Sequence, residues 1–142
     1  MPGEKFSVNI LLTLVVGAVI TWLIHSHPPA AWNAMQWVGA GLLCVGFVLW
    51  SVARFQLGAS LTVSAQARKL VTRGLYAKIR NPIYVFGSCT LVGLILTLGR
   101  PIWLLIFLPI IPLQIWRASK ESSVLESAFG DEYRSYRAKT WF

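Results

Sequence analysis

Between Lys5 and Arg54 the chain carries no Asp, Glu, Lys or Arg. Two apolar runs fill that interval, residues 6–24 and 35–52, and each is long enough to predict a membrane-crossing helix. His25, Ser26, His27, Pro28 and Pro29 part them as a turn-forming break. Trp22, Trp37 and Trp50 stand near the ends of the runs, where indole rings favour the membrane–water interface. The first run is long for the apolar core of a signal peptide and no clean small-residue cleavage site follows it, so it reads as a retained helix.

The pattern changes at Arg54. From there to Arg80 come six cationic residues (Arg54, Arg68, Lys69, Arg73, Lys78 and Arg80) and no acid, with Gly58 and Gly74 among them. This predicts a basic connection lying on one membrane face. Two more apolar runs follow, 83–98 and 101–116, separated only by Gly99 and Arg100. A 16-residue helix is about 24 Å long, against a hydrocarbon core of about 30 Å. The pair therefore predicts an antiparallel hairpin of short crossings. Pro109 and Pro112 should bend its second arm and free backbone carbonyls. From Arg117 the chain is polar again. Val124, Leu125, Ala128 and Phe129 form one helical stripe that Gly130 interrupts, and Tyr133 and Tyr136 continue it, which predicts an amphipathic helix with a kink or cap at Gly130.

Composition agrees with this outline. Over 142 residues 56% are hydrophobic and only 13% charged, and the mean hydropathy is +0.61. Soluble domains carry about 25% charged residues, so a disordered chain, a coiled coil and an ordinary soluble enzyme are all excluded. The expected fold class is all-α: an integral membrane bundle of about four transmembrane helices with a C-terminal amphipathic cytoplasmic helix. It forms a single domain over 1–142, with an N-terminal helix pair in 1–56 and a motif-bearing region in 57–142.

The net charge of +8 reads as membrane topology rather than a nucleic-acid partner. The 1–2 and 3–4 links hold no cation and Arg100 alone, whereas the 2–3 connection and the C-terminal segment hold six and five. Both termini and the basic face are therefore expected in the cytoplasm. Cys44 and Cys89 lie inside apolar runs, outside any metal-ligand or disulfide pattern. His25 and His27 read as loop histidines, and no metal site is expected.

Chemistry concentrates in two clusters. The first is Gly74-x-Tyr76-x3-Arg80-Asn81-Pro82-x-Tyr84-x2-Gly87, where the basic connection enters the third helix. Pro82 suits the first turn of that helix, and the free amides there suit an anionic group. Tyr84 and Gly87 fall one turn apart, a ring beside bare backbone. A positive flank with an interfacial aromatic explains the same residues without any ligand. The second cluster is Glu121-Ser122-x2-Leu125-x3-Phe129-Gly130-x-Glu132-Tyr133-x2-Tyr136, and four of the chain's five acids lie within it. Glu121 follows the fourth apolar run closely enough to share a rim with Arg80. Glu126, Asp131 and Glu132 read as the wet face of the amphipathic helix.

Together and in this order, the clusters resemble the isoprenylcysteine carboxyl methyltransferase family and its phospholipid-methyltransferase relatives, over roughly residues 63–140. The family usually has histidine where this chain has Asn81, and a second acid where it has Ser122. The resemblance implies S-adenosyl-L-methionine as methyl donor. It implies cofactor-binding residues Gly74, Tyr76, Arg80, Asn81, Pro82, Tyr84, Gly87 and Glu121, with Arg80 and Glu121 as the catalytic pair. In those roles Arg80 pairs with the cofactor carboxylate, Glu121 accepts from ribose hydroxyls or the ammonium, a ring of Tyr76 or Tyr84 lies near the sulfonium, and Gly87 admits a bulky group. The implied partners are a lipophilic or lipidated acceptor, an isoprenylcysteine-like carboxylate or an aminolipid, together with membrane lipids. Two alternatives remain: a non-catalytic membrane partner whose site has eroded at Asn81 and Ser122, and an NADPH-dependent sterol reductase, which shares an Arg-x-Pro-x-Tyr stretch.

Overall fold

A computed structural model describes residues 2–26, 32–57 and 70–141, with side chains from residue 10 onward. The His27–Pro28–Pro29 break and the part of the basic connection with Gly58, Arg68 and Lys69 lie outside the described residues. What is described is helical: α1 (Pro2–His25), α2 (Ala34–Leu57), α3 (Pro82–Thr97), α4 (Phe107–Phe129) and α5 (Asp131–Lys139). Short 3-10 turns at Gly74–Ala77 and Pro101–Ile106 lead into α3 and α4. Ala34–Leu57 and Pro101–Phe129 are long and apolar enough to cross a membrane, while Ile10–His25 and Pro82–Thr97 are shorter apolar helices.

The helix starts follow local chemistry. Asn33 and Gln36 cap α2 reciprocally: the Gln36 amide donates to Asn33 Oδ1 and the Asn33 amide to Gln36 Oε1, both at 3.0 Å. This is a capping box with Asn as the N-cap residue. Gln36 Nε2 also donates to the Thr97 carbonyl at 3.2 Å, which ties the start of α2 to the end of α3. Pro82 opens α3 and Pro101 opens the turn before α4, positions that lack a helical amide partner anyway.

The main contact is α2 against α3. Gly39, Leu43, Gly46 and Ala53 are the buried residues of α2, and the first three meet Thr90, Gly93 and Thr97 of α3. Small residues let the two backbones touch, the usual device where lipid removes any hydrophobic drive between helices. The hydroxyls of Ser51, Thr90 and Thr97 each donate to the carbonyl four residues back, so they cost nothing in an apolar setting. α4 lies more openly, with Leu108, Ile111, Leu113 and Trp116 all at least half exposed.

The C-terminal region differs from expectation in one respect. The amphipathic segment from Arg117 is no separate helix but the continuation of α4, with Pro112 inside one uninterrupted helix. Pro112 falls in the second turn of α4, and interruption waits for Gly130. That glycine has φ of +51°, a conformation that an L side chain resists. There the chain turns and α5 begins.

Candidate active site

Tyr84 sits in the first turn of α3 and Glu121 lies four turns down α4. The hairpin returns them to one rim, where the Tyr84 hydroxyl donates to Glu121 Oε1 at 2.6 Å. Further along the same helix pair, Ser88 and Gln114 touch through contacts of 3.1 and 3.2 Å. Arg117, one turn before Glu121, bears electrostatically on the Tyr84 hydroxyl.

The residues leading into α3 are held from two sides. On one side Gln56 of α2 accepts the Leu75 amide at 2.9 Å. Its side chain fills the space where a Cβ on Gly74 would stand, and Gly74 itself has φ of +63°. On the other side the C-terminal tail acts as a strap. Trp141 donates its amide to the Lys78 carbonyl at 2.8 Å and accepts the Arg80 amide at 2.9 Å. Tyr136 donates its hydroxyl to the Tyr76 carbonyl at 2.8 Å, and fully buried Tyr133 donates to Ser122 Oγ at 2.8 Å. The Tyr133–Tyr136 spacing therefore serves to dock α5 on the rim.

Within this frame three buried donors have no hydrogen-bond partner among the described residues: the Tyr76 hydroxyl, Arg80 Nε and Asn81 Nδ2. Orphaned buried donors are rare and costly, and these three fall in one short stretch, from Tyr76 to Asn81. Of the three, Arg80 lines a cavity of about 300 Å³, with Ser119, Ser122, Ser123, Glu126 and Arg137 as its polar wall and Ile115 and Ala118 as its apolar one. It combines two guanidiniums, three hydroxyls and a carboxylate.

The structure joins Tyr84 to Glu121 and sets Tyr76 within electrostatic reach of both; among the described residues no ion pair joins Arg80 to Glu121. Pro82 is fully buried as the helix start. Gly87 is placed differently: a Cβ there would meet the Trp50 indole of α2 at 3.4 Å, so the bare patch of Gly87 is covered by Trp50. Arg54 lies over the same Trp50 ring, 4.9 Å from its centroid. Glu126 is likewise no simple wet-face residue. It accepts from Arg134 Nε at 2.8 Å and lines the cavity with Arg80. Sequence reasoning missed Ser119, Ser123 and Arg137 as cavity residues. The i, i+4 placement of Ser119 and Ser123 on α4 was visible, but the position of α5, which carries Arg137, was not.

The strap carries a pH signature. Burial first, then the neighbouring Tyr133, pushes the Tyr136 phenol up to about 12, with Arg80 acting the other way; an unfolded tyrosine titrates near 10. A raised phenol pKa contributes stability that is whole below about pH 10 and is lost as pH climbs through about 12. Thermal stability should therefore hold flat to about pH 10 and then fall. Tyr136→Phe should cost about 1–3 kcal/mol at neutral pH, because the Tyr76 carbonyl loses its donor, and should flatten the alkaline fall. Parallel alkaline curves for the two proteins would detach Tyr136 from the effect.

A family model described as phospholipid methyltransferase matches residues 34–132, the stretch from α2 into α5. The chain is also similar to proteins named protein-S-isoprenylcysteine O-methyltransferase. It is 35% identical to the Schizosaccharomyces pombe protein over 75% of this chain and 48% of that one. It is 30% identical to the Rattus norvegicus protein over 96% and 52%, and 26% identical to the Dictyostelium discoideum protein over 92% and 58%. The chain spans about half the length of these curated relatives.

Proposed function

This chain belongs to the phospholipid methyltransferase family, and on that premise we propose that it moves a methyl group from S-adenosylmethionine to a lipophilic acceptor held in the membrane. The observation that carries the reading is the grouping of three partnerless donors, the Tyr76 hydroxyl, Arg80 Nε and Asn81 Nδ2, with the cavity that Arg80 lines and the Tyr84–Glu121 bond. An amino-acid carboxylate, a ribose and an ammonium need this mixture of donors and acceptors.

Arg80 holds the donor's carboxylate by a charge-assisted bond, and Asn81 adds a neutral donor where the family's histidine would stand. Glu121, its carboxylate steadied by the Tyr84 hydroxyl, accepts from the ribose hydroxyls or the ammonium. Glu126 and the serines of α4 complete the polar wall. S-Adenosylmethionine supplies a methyl group on a sulfonium. The chain's own task is to align the acceptor with it and to keep water away, which favours reaction of an anionic acceptor because charge is neutralised. None of these residues is needed as a base when the acceptor is a carboxylate.

The membrane placement follows the same logic. In this reading α1 to α4 are four crossings, both termini are cytoplasmic, and the Arg80 rim faces the cytoplasm. The polar donor then enters from water while the acceptor's chain enters from the bilayer. The names of the relatives favour an isoprenylcysteine-like carboxylate as acceptor, with an aminolipid as the other candidate. Incubation of the purified protein with methyl-labelled donor and a membrane lipid extract should yield a labelled lipid. A base-labile product is a methyl ester and a base-stable one an N-methyl amine. Donor binding with no labelled product from any lipid fraction would instead identify a non-catalytic partner protein.

A further inference from the structure

The opposite end of the bundle has a recognition feature of its own. A cavity of about 700 Å³ lies between Leu23 of α1, Leu91, Leu94 and Leu98 of α3, and Ile102 and Trp103 of the turn before α4. Its near edge, Leu91, is two turns beyond Tyr84, about 10 Å along α3, so it is separate from the rim described above. The lining is apolar but for Arg100.

Arg100 has no protein counter-charge at this end. Glu4 opens α1 at its far end, and the other four acids all follow residue 120. The guanidinium lies beside the Trp103 ring, 5.8 Å from its centroid. Other indoles cluster at the same end: Trp22 near the end of α1, and Trp32 and Trp37, whose rings meet at 5.1 Å, at the start of α2. Such a belt marks the level of lipid headgroups, which puts Arg100 at phosphate depth with an apolar cavity directly beneath it. Its volume is within the range of a specific ligand site. It also lies where α1, which has little backbone contact with α3, stands off from the bundle.

We propose that this cavity binds one anionic glycerophospholipid, its phosphate on Arg100 and an acyl chain between α1 and α3. The lipid fills the gap that side chains leave and fastens α1 to the bundle. It is a resident of the fold and takes no part in methyl transfer. The proposal rests on the membrane placement of the helices given above, but not on the reaction.

The test is lipid retention. The full chain is reconstituted in nanodiscs of phosphatidylcholine with a minor fraction of phosphatidylglycerol, released, and weighed by native mass spectrometry. The unaltered protein should carry a single phosphatidylglycerol. Arg100→Gln, in an exposed turn, should retain about tenfold less, the value of one charge-assisted bond, while Arg100→Lys should keep most of it. Leu94→Trp, which fills the cavity and leaves Arg100 in place, should lose the lipid. Equal retention by Arg100→Gln, equal retention of phosphatidylcholine, or a lipid-free dimer would each overturn the proposal. None of these readouts depends on methyl transfer, so failure of the enzymatic reading leaves the result interpretable.

Discussion

Arg80→Ala should weaken S-adenosylmethionine binding roughly ten- to a hundredfold. A hydrogen bond to a charged group is worth about 1.5–3 kcal/mol, and 1.4 kcal/mol is a factor of ten in affinity. Arg80 Nε is buried with no hydrogen-bond partner among the described residues, and its backbone amide is already fixed by Trp141. On the proposed reading, that unpartnered nitrogen is the one the donor's carboxylate would meet. Glu121→Ala should cost a similar factor. Among the described residues no ion pair joins Arg80 to Glu121, so a double variant that departs from additivity would report coupling through the shared ligand. Tyr84→Phe and Glu121→Ala should be less than additive, because Tyr84 acts through the 2.6 Å bond to Glu121. Glu132 is exposed on α5, and Glu132→Ala is a suitable control; Glu126, which lines the cavity, is not. Calorimetry on detergent-solubilised protein reads all of these. Unchanged donor affinity in folded Arg80→Ala and Glu121→Ala proteins would take the cofactor away from this rim.

The larger structural effect should come from Gly93. A Cβ there would stand 2.3 Å from the Leu43 nitrogen, 2.7 Å from its Cα and 2.8 Å from the Gly39 carbonyl oxygen. These are backbone atoms of α2 and cannot rotate aside, so the helices must part. Overpacking typically costs 1–3 kcal/mol, and a backbone clash belongs at or above that upper end, so Gly93→Ala should lose about 3 kcal/mol and Gly93→Val more. Gly39 and Gly46 face similar contacts, 2.6 Å and 2.7 Å to the amides of Thr97 and Thr90. Separating α2 from α3 also lifts Trp50 from Gly87 and moves the base on which Tyr84 is set. Gly41 provides the contrast, since nothing lies within 4 Å of its Cβ position. Gly41→Ala should gain up to about 1 kcal/mol from helix propensity alone. Melting curves in detergent decide between these expectations, and equal stability of Gly93→Ala and Gly41→Ala would show that the close approach is not essential.

Much of this protein was legible from its residues because the relevant interactions are local. Absence of charge from Lys5 to Arg54, the Gly99–Arg100 link, and Pro82 at a helix start each act within a few residues, and helix limits and the hairpin follow from them. Hairpin return also implied that the start of α3 would lie near Glu121, as the Tyr84–Glu121 bond shows, since two antiparallel arms of similar length bring their ends together. The motif residues from Gly74 to Gly87 and from Glu121 to Tyr136 carried the family resemblance for the same reason: they are read in order along the chain.

What only the tertiary structure decided depends on which side of each helix meets a neighbour. Periodicity locates a stripe but does not say what will cover it. Gly39, Gly46 and Gly93 became a helix interface only when α2 and α3 were placed in register. Gly87, a bare site in the sequence, is occupied by Trp50 from 37 residues earlier. Continuation of α4 through Arg117 to Phe129 was decided by an unbroken backbone ladder, which the change in polarity at Arg117 does not interrupt. Gly130 then turns α5 back so that Tyr133, Tyr136 and Trp141 reach Ser122, Tyr76 and Lys78, and that return brings Arg137 into one cavity with Arg80. A hydrogen bond between residues 60 apart, like that from Tyr136 to Tyr76, is a property of two surfaces in contact, and no single stretch of sequence contains it.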